Sequence, residues 1–364
     1  MILMFCLSKE HPELPRDEAV AIAQGLCKDY RVEKIMDDLL FIDLACESPE
    51  DGMRIYSEFS GRAAMTRKLS EYVCGFESTG CGKMDECASM IFEKIYEFYK
   101  INKNKNLKEI KFAVRCCDKK SGAGVERILG EAVLEKCSGN LPFNLSVDLS
   151  NPDIVVLFAS RGGRFYAGLS YLKRSYTNTL ERPHIHPITM KPKLCRALVN
   201  LACLKSGDCV LDMFCGTGGI LIEAGLMGMN ALGFDIDKKR VYECRHNLEY
   251  FGIDNSKIYE MDSLSENLPG FIRDENLKVD AIVTDPPYGR SSYTSERDII
   301  KFYEKFIESS AMILYPGKYL IFSFPKDTFE IVKEYAGKFF SNEGEYDIYV
   351  HKSLTRKVLA LKRK

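Results

Sequence analysis

The chain has 364 residues, of which 28% are charged and 46% are hydrophobic, the composition of an ordinary globular protein. This length predicts about two or three domains and excludes one small core. The longest apolar runs, such as residues 154–159, are too short to cross a bilayer, and residues 1–7 lack the basic flank and cleavage site of a signal peptide. We therefore expect no membrane contact and a cytoplasmic location.

The net charge of −1 is divided unevenly along the chain. Residues 1–74 carry a net charge of −5, residues 75–182 carry +4, and residues 183–364 are balanced. Positive charge is thus concentrated in the middle segment, where a phosphate backbone could bind. An excess of this size is also typical of a solvated surface.

Fourteen cysteines are scattered through apolar runs, and no Cys-x-x-Cys pair occurs. This pattern predicts reduced, buried thiols. Cys74, Cys81 and Cys87 lie close in sequence, which leaves a zinc site as an alternative. Because no histidine or second cysteine pair accompanies them, no metal site is predicted.

The first segment alternates between helix and strand patterns. Residues 16–28 are amphipathic with helical spacing, and residues 39–45 are strand-like. These patterns predict a small ferredoxin-like α+β domain over residues 1–74.

The middle segment, residues 75–172, repeats this alternation. The predicted helices are residues 90–98 and 124–136, and the predicted strands are residues 110–115, 145–149, 153–159 and 164–172. The polar residues 102–106 predict a loop, and the polar residues 173–182 predict an interdomain linker.

From residue 183 onward, strand and helix patterns alternate regularly. The predicted strands are residues 209–214, 231–236, 257–261, 279–284 and 319–324, and the predicted helices are residues 220–228, 238–250 and 298–314. Residues 346–354 and 356–361 predict a closing antiparallel pair. Such alternation is typical of a doubly wound α/β sheet with right-handed crossovers.

Asp285, Pro286, Pro287 and Tyr288 end the apolar run 279–284, which is typical of a buried parallel strand. Ligands of open α/β sheets bind at this edge. The Asp285 carboxylate and the Pro286 carbonyl, whose direction the two prolines fix, can accept both hydrogens of a planar amine. Tyr288 can stack on a base. Holding both hydrogens turns the nitrogen lone pair toward an electrophile, which predicts alkylation of an exocyclic amine. A polar turn with an incidental tyrosine is the alternative.

A glycine-rich loop stands between the first two predicted elements of the 183–364 segment, with the sequence Asp212-Met213-Phe214-Cys215-Gly216-Thr217-Gly218-Gly219. Glycines there allow close approach of a ligand to the backbone. The spacing differs from the dinucleotide fingerprint. A carboxylate ahead of the glycines suits a cationic amino-acid group better than a phosphate.

Two further acids follow the next two strands. Asp235, with Ile236, ends the second strand and suits ribose hydroxyls, and Asp262, with Ser263, follows the third strand and could accept an adenine amino group. Each acid alone is also typical of a helix N-cap. Acids at three successive strand ends together predict a ligand site.

This constellation resembles the class I S-adenosylmethionine-dependent methyltransferases, specifically the amino-methyltransferases with the catalytic motif (Asp/Asn/Ser)-Pro-Pro-(Tyr/Phe/Trp). The resemblance covers residues 183–364, implies a Rossmann-like fold, and extends to residues 182–192, which resemble the segment that packs over the methionine part of the cofactor. His186 in that segment is a candidate contact, with a simple turn residue as the alternative. The implied S-adenosylmethionine contacts are His186, Asp212, Phe214, Cys215, Gly216, Gly218, Gly219, Asp235, Ile236, Asp262 and Ser263.

Residues 112–115, 124–136, 147–149 and 151–153 resemble the THUMP domain, an RNA-binding module of tRNA-modifying enzymes. With the two motifs above, the chain resembles the archaeal tRNA guanine-10 N2-methyltransferases, and residues 1–74 are the least diagnostic part. The resemblance implies a THUMP domain over residues 75–172 and tRNA as the partner. It also implies methylation of guanine N2 at position 10, once or twice.

Three arginines of the middle segment, Arg115, Arg161 and Arg164, are expected to contact phosphates, with ordinary surface roles as the alternative. We expect a monomer that requires no protein partner.

Other functions remain open from the sequence. The catalytic motif would also suit adenine N6 in DNA, and a guanine elsewhere in tRNA or ribosomal RNA is a second alternative. Carbon-5 pyrimidine methylation is disfavoured because it requires a thiol in the catalytic loop, whereas Cys215 lies in the glycine loop. A non-catalytic RNA-binding scaffold is the alternative from a different class.

Overall fold

The computed structural model describes residues 1–77, 81–105, 107–118, 123–137, 141–171, 179–186, 189–287, 296–351 and 354–364. Its strands are β1 (Ile2–Leu7), β2 (Tyr30–Met36), β3 (Leu39–Leu44), β4 (Thr66–Glu77), β5 (Glu109–Cys116), β6 (Asn144–Val147), β7 (Ile154–Arg161), β8 (Arg164–Ser170), β9 (Cys209–Asp212), β10 (Asn230–Asp235), β11 (Ser256–Glu260), β12 (Ala281–Thr284), β13 (Tyr319–Pro325), β14 (Phe340–His351) and β15 (Leu354–Arg363). Its α-helices are α1 (Leu14–Leu26), α2 (Pro49–Arg62), α3 (Cys81–Ile101), α4 (Ala123–Glu135), α5 (Pro192–Leu201), α6 (Gly219–Leu226), α7 (Lys238–Tyr250), α8 (Leu268–Asp274), α9 (Glu296–Ile313) and α10 (Phe329–Ala336).

Contacts divide the chain into two compact units. The first unit comprises Met1–Glu10, Cys27–Gly61 and Thr66–Ser175, and the second comprises His11–Leu26, Arg62–Met65 and Tyr176–Lys364. Helix α1 therefore belongs to the second unit, where it packs against α5. The functional division at residues 74, 172 and 182 stays a prediction.

The first unit is built on one sheet with the strand order β2-β3-β1-β4-β8-β7-β5-β6. Strand β5 pairs in parallel with β6 and β7, and the other neighbours are antiparallel. Helix α3 packs on β4, and α4 packs on β5. The α+β character expected for this half of the chain is thus present in a single continuous sheet.

The second unit is built on a sheet with the strand order β11-β10-β9-β12-β13-β15-β14. The first five strands are parallel, and β15 pairs antiparallel with β13 and β14. The strand order reverses between β9 and β12, and ligands of doubly wound sheets bind at such a switch point. The doubly wound sheet and the closing antiparallel pair are therefore confirmed.

Both faces of this sheet are buried, because alternate residues of each central strand enter different apolar clusters. On β12, Val283 packs with α5, α6 and α7, whereas Ile282 packs with α8, α9 and α10. Helices α5, α8 and α10 were not predicted from the sequence.

The cysteine pattern requires one correction. Cys74 and Cys87 form a disulfide, so the expectation of reduced thiols is wrong for this pair. Within the described ranges, no group of three or more His, Cys, Asp or Glu side chains could hold a metal ion. No helix in the described part of the chain is long and apolar enough to span a bilayer.

A buried ion pair joins α5 to α6. The fully buried Glu223 accepts a hydrogen bond from Arg196 Nε at 2.7 Å and a second from Thr179 Oγ1 at 2.6 Å. A buried carboxylate is tolerated when such partners compensate for the loss of hydration.

We expect Arg196→Met to lower the free energy of unfolding by about 3 kcal/mol, because Glu223 loses its closest cation in a buried site. The double variant Arg196→Met/Glu223→Leu should recover most of this loss. Denaturant unfolding followed by circular dichroism measures both. As a matched control, Lys333→Met breaks the exposed Lys333–Glu345 pair (2.9 Å) and should change stability by less than about 1 kcal/mol. Equal losses from the buried and exposed pairs would contradict the expectation.

Candidate active site

A cavity of about 780 Å³ lies in the second unit, at the carboxyl ends of β9, β10, β11 and β12. Its lining includes most of the residues predicted from the sequence, which are His186, Asp212, Phe214, Cys215, Gly216, Gly219, Asp235, Ile236, Asp262, Ser263, Asp285 and Pro287. Gly218 and Pro286 do not line it. Tyr288 lies outside the described residues. The sheet thus brings the glycine-loop acids and Asp285 to one cavity.

Asp212 ends β9 and is buried at the floor of this cavity. Its Oδ1 accepts hydrogen bonds from Thr284 Oγ1 at 2.6 Å and from the Phe214 amide at 3.1 Å. Burial raises the pKa of Asp212 to about 7, although these two hydrogen bonds oppose the shift. A bound cation would favour the ionised carboxylate, so the site is suited to an ammonium group.

Two glycines give the loop after β9 its shape. Gly216 and Gly218 have φ values of +51° and +83°, in the left-handed region that side chains disfavour. A Cβ atom on Gly218 would also lie 2.8 Å from Cys244 Sγ on α7. Gly218 therefore shapes the loop without lining the cavity.

The acids after β10 and β11 organise the backbone around them. Asp235 accepts hydrogen bonds from the amides of Gly216 and Asp237, each at 2.9 Å. Asp262 accepts one from the Leu264 amide at 2.9 Å. Carboxylate oxygens have further lone pairs, so these contacts leave each acid able to accept hydrogen bonds from a ligand.

The residues beside these acids differ in character. Ile236 is 74% exposed and gives the cavity an apolar wall. Ser263 is buried and donates its hydroxyl to the Met213 carbonyl, which ties the loop after β11 to the glycine loop.

The segment before α5 is tied to the glycine loop by Asn247, a fully buried residue of α7 that sequence reasoning missed. The Asn247 side chain donates to the carbonyls of His184 and Thr217, each at 2.8 Å, and accepts from the His184 amide at 2.9 Å. His186, two residues further on, lines the cavity. Asn247 lies among the buried residues Cys244 and Leu248 of α7, and no sequence motif marks it.

Asp285 follows β12 at the other end of the cavity. Ser323 Oγ donates a hydrogen bond to Asp285 Oδ1, and Arg356 Nη2 lies 3.7 Å from Oδ2. Both partners were missed because they come from β13 and β15, which are distant in sequence. Phe302 and Lys305 of α9 also line the cavity without having been predicted, and the Phe302 ring packs on Phe214 at 5.6 Å.

The three arginines predicted to bind RNA lie in the first unit, and each has an intramolecular partner. Arg115 donates to the Leu149 carbonyl at 2.5 Å, and Arg164 lies 3.6 Å from Glu77. Arg161 pairs with two carboxylates, Asp118 and Asp38, and these raise the pKa of its guanidinium. Its side chain is only 12% exposed, so this pairing does not favour a phosphate contact. The RNA-binding roles stay predictions.

Known proteins match this chain in sequence. The family model described as "RMKL-like, methyltransferase domain" matches residues 180–343, and a model described as "DNA methylase" matches residues 77–245. The "tRNA (guanine(10)-N2)-dimethyltransferase" of Methanothermobacter thermautotrophicus is 34% identical over 375 residues, covering 100% of both chains. The protein of the same name from Methanocaldococcus jannaschii is 39% identical over 230 residues, which is 61% of this chain and 62% of that protein.

A solved structure matches in fold. "TrmN from Thermus thermophilus" aligns with 100% of both chains at a TM-score of 0.52 and 18% identity. The expected Rossmann-like methyltransferase fold is therefore confirmed.

The buried position of Asp212 predicts a pH dependence of ligand binding. Because its pKa is raised to about 7, the carboxyl is increasingly protonated below that pH, and a ligand with an ammonium group binds the ionised form. We expect the affinity for S-adenosylhomocysteine to rise as pH increases from 5.5 to 7, by up to about tenfold per pH unit at the acidic end. Isothermal titration calorimetry measures this affinity.

Asp212→Asn should remove the dependence. His186→Gln is the matched control, since it replaces another polar side chain that lines the cavity and leaves Asp212 in place. The assignment to Asp212 is wrong if His186→Gln flattens the curve while Asp212→Asn preserves it.

Proposed function

Because the chain belongs to the family of tRNA (guanine(10)-N2)-dimethyltransferases, we propose that it methylates the exocyclic N2 of guanine at position 10 of tRNA, once or twice. The observation that supports this most directly is the common cavity. Asp212 and Asp285, from neighbouring strands, both line it. The proposed hydrogen-bond acceptor for the guanine amine and the proposed site for a cationic cofactor thus lie in the same cavity.

The methyl donor is S-adenosylmethionine, which supplies a methyl group on a cationic sulfur. The cavity fits this cofactor because the buried Asp212 suits its ammonium group. We assign Asp235 to the ribose hydroxyls, Asp262 to the adenine amino group, and the exposed Ile236 to the adenine face. The remaining proposed contacts are His186, Phe214, Cys215, Gly216, Gly219 and Ser263, and Gly218 acts by shaping the loop that carries several of them.

The catalytic residues act on the guanine amine by position and charge. The Asp285 carboxylate and the Pro286 carbonyl accept its two hydrogens, so that the nitrogen lone pair faces the methyl carbon. The target guanine turns out of the tRNA helix to reach the pocket, where Tyr288 stacks on it. As the nitrogen–carbon bond forms, the carbon–sulfur bond breaks, and the nitrogen then loses a proton. Pro287 keeps the preceding carbonyl in place.

We propose that residues 75–172 form a THUMP domain that holds the tRNA. The positive net charge of residues 75–182 supports this, because tRNA carries a phosphate backbone. Arg115 and Arg164 remain the better candidates for phosphate contacts, because Arg161 is enclosed by Asp38 and Asp118. We further propose a cytoplasmic monomer that acts without a protein partner.

The product identifies the reaction. We expect the purified chain to transfer labelled methyl groups to unmodified tRNA transcripts and to yield N2-methylguanine and N2,N2-dimethylguanine at position 10, as measured by mass spectrometry of nucleosides and of mapped fragments. Duplex DNA should accept none. Methyladenine in DNA would replace the proposal with the adenine N6 alternative, a different modified guanine would move the target, and no transfer at all would support a scaffold.

Asp285→Ala should reduce methyl transfer by at least about a hundredfold, because the amine loses an oriented acceptor. Affinity for S-adenosylhomocysteine should stay within about twofold, since Asp285 is assigned to the substrate. Single-turnover transfer and calorimetry measure the two effects. Asp254→Ala is the matched control, an exposed acid ahead of β11 at the opposite edge of the sheet. Unchanged turnover in Asp285→Ala would remove Asp285 from the mechanism.

A further inference from the structure

Two side chains that are not among the proposed cofactor contacts lie next to the Asp285 carboxylate. Ser323, which is fully buried, donates a hydrogen bond to Oδ1, and Arg356 Nη2 lies 3.7 Å from Oδ2. The second distance is that of an ion pair beyond hydrogen-bond range, so Arg356 supplies charge while Ser323 supplies direction.

The sheet register explains why these two residues meet Asp285. Strand β12 pairs in parallel with β13, with Thr284 opposite Phe322, so the next residue on each strand is Asp285 and Ser323. Strand β15 runs antiparallel to β13 and places Arg356 opposite Pro325. Two successive strands therefore deliver a hydroxyl donor and a cation to the end of β12.

Arg356 differs from the next cation on its strand in its partner and not in its burial, since the Lys357 side chain is 11% exposed. Lys357 pairs at 3.0 Å with Asp347, a carboxylate that is 44% exposed. The Arg356 side chain is only 8% exposed, and a buried guanidinium requires a compensating carboxylate nearby. Its position is thus not that of an ordinary surface charge.

Resting on the proposed function, we propose that Ser323 and Arg356 are positioning residues that hold the Asp285 carboxylate in one orientation for the guanine amine and compensate its negative charge. The hydrogen bond from Ser323 restricts rotation of the carboxylate about its Cβ–Cγ bond. The charge of Arg356 stabilises the anion when a bound substrate displaces water from it. Each carboxylate oxygen keeps lone pairs for a substrate hydrogen.

Other titratable groups act on Asp285 as well. Among the described residues, burial is the main cause that raises the pKa of Asp212 on β9 and of Cys195 on α5, and the negative charge of Asp285 adds to both shifts. Arg356 opposes this repulsion. Removing the cation should therefore strengthen the repulsion between the carboxylates of Asp212 and Asp285.

The first experiment measures the pH profile of kcat at saturating tRNA and cofactor. We expect the acidic limb to move upward by about one pH unit or more in Arg356→Gln, and by less in Ser323→Ala. Arg356→Lys should keep the limb near its wild-type position, because the positive charge remains. KM for tRNA and affinity for S-adenosylhomocysteine should stay within about twofold in all three, since the effect falls on the reacting amine.

Lys357→Gln is the matched control. It removes the same charge from the adjacent residue of β15 and should leave the limb in place, because its partner is Asp347. A limb that stays in place in Arg356→Gln, while cofactor affinity is retained, overturns the role of Arg356. If Arg356→Gln does not fold, Ser323→Ala and Arg356→Lys decide, and an unmoved limb in Ser323→Ala overturns the proposal.

A second measurement needs no turnover. In protein labelled with ¹³C at aspartate carboxyl carbons, the Asp285 signal is assigned by its loss in Asp285→Asn. Its titration should move to higher pH in Arg356→Gln and stay unmoved in Lys357→Gln. This result separates the two proposals: an absence of N2-methylguanine refutes the proposed function, whereas an unmoved signal in Arg356→Gln refutes the positioning role.

Discussion

The hydrogen bond from Thr284 to Asp212 joins the two halves of the site, and the geometry of the cavity depends on it. Thr284 is the last residue of β12, directly before Asp285, and Asp212 ends β9. The 2.6 Å contact therefore couples the strand that carries the amine acceptor to the strand that leads into the glycine loop. Because both side chains are buried, water cannot readily take the place of either partner, and breaking this hydrogen bond would cost stability. A parallel sheet alone sets strands side by side, whereas this bond fixes the relation between their ends.

The same principle extends outward from Asp212. Asp235 holds the Gly216 amide, Ser263 holds the Met213 carbonyl, and Asn247 holds the Thr217 carbonyl. The glycine loop is thus fastened by side chains from three different elements, although its own residues allow unusual backbone conformations. Such a loop is preorganised, so little conformational entropy remains to be lost when a ligand binds.

The sequence predicted those features that have a local signal. Strand periods and the glycine loop each occupy consecutive residues, each acid lies at the end of a predicted strand, and the structure places these acids on one cavity. Ser323 and Arg356 carry no such signal, because their roles depend on the register between β12, β13 and β15. Two further contacts were not predicted. Arg161 pairs with Asp38 and Asp118, which are distant in sequence. Cys74 and Cys87 form a disulfide, which their spacing alone does not indicate. Helix α1 joins α5 by packing that no motif records.

The charged residues around the cavity are mostly acidic, and the two ends of the cavity differ in whether a cation lies beside the acid: Arg356 lies beside Asp285, whereas Asp212 has hydrogen bonds from a hydroxyl and an amide. Five carboxylates, Asp212, Asp235, Asp237, Asp262 and Asp285, line its described part, against the two permanent cations Arg240 and Lys305. A negatively charged cavity attracts a positively charged ligand such as S-adenosylmethionine. It should bind S-adenosylhomocysteine, whose sulfur is neutral, less tightly. The same field would favour protonation of any carboxylate that has to act alone. Burial is the main cause that raises the pKa of Asp212 to about 7, and the negative charges of Asp285 and Asp235 add to the shift. Asp285 instead has Arg356 beside it, so the repulsion among these carboxylates is offset at the acid that we propose to meet the amine.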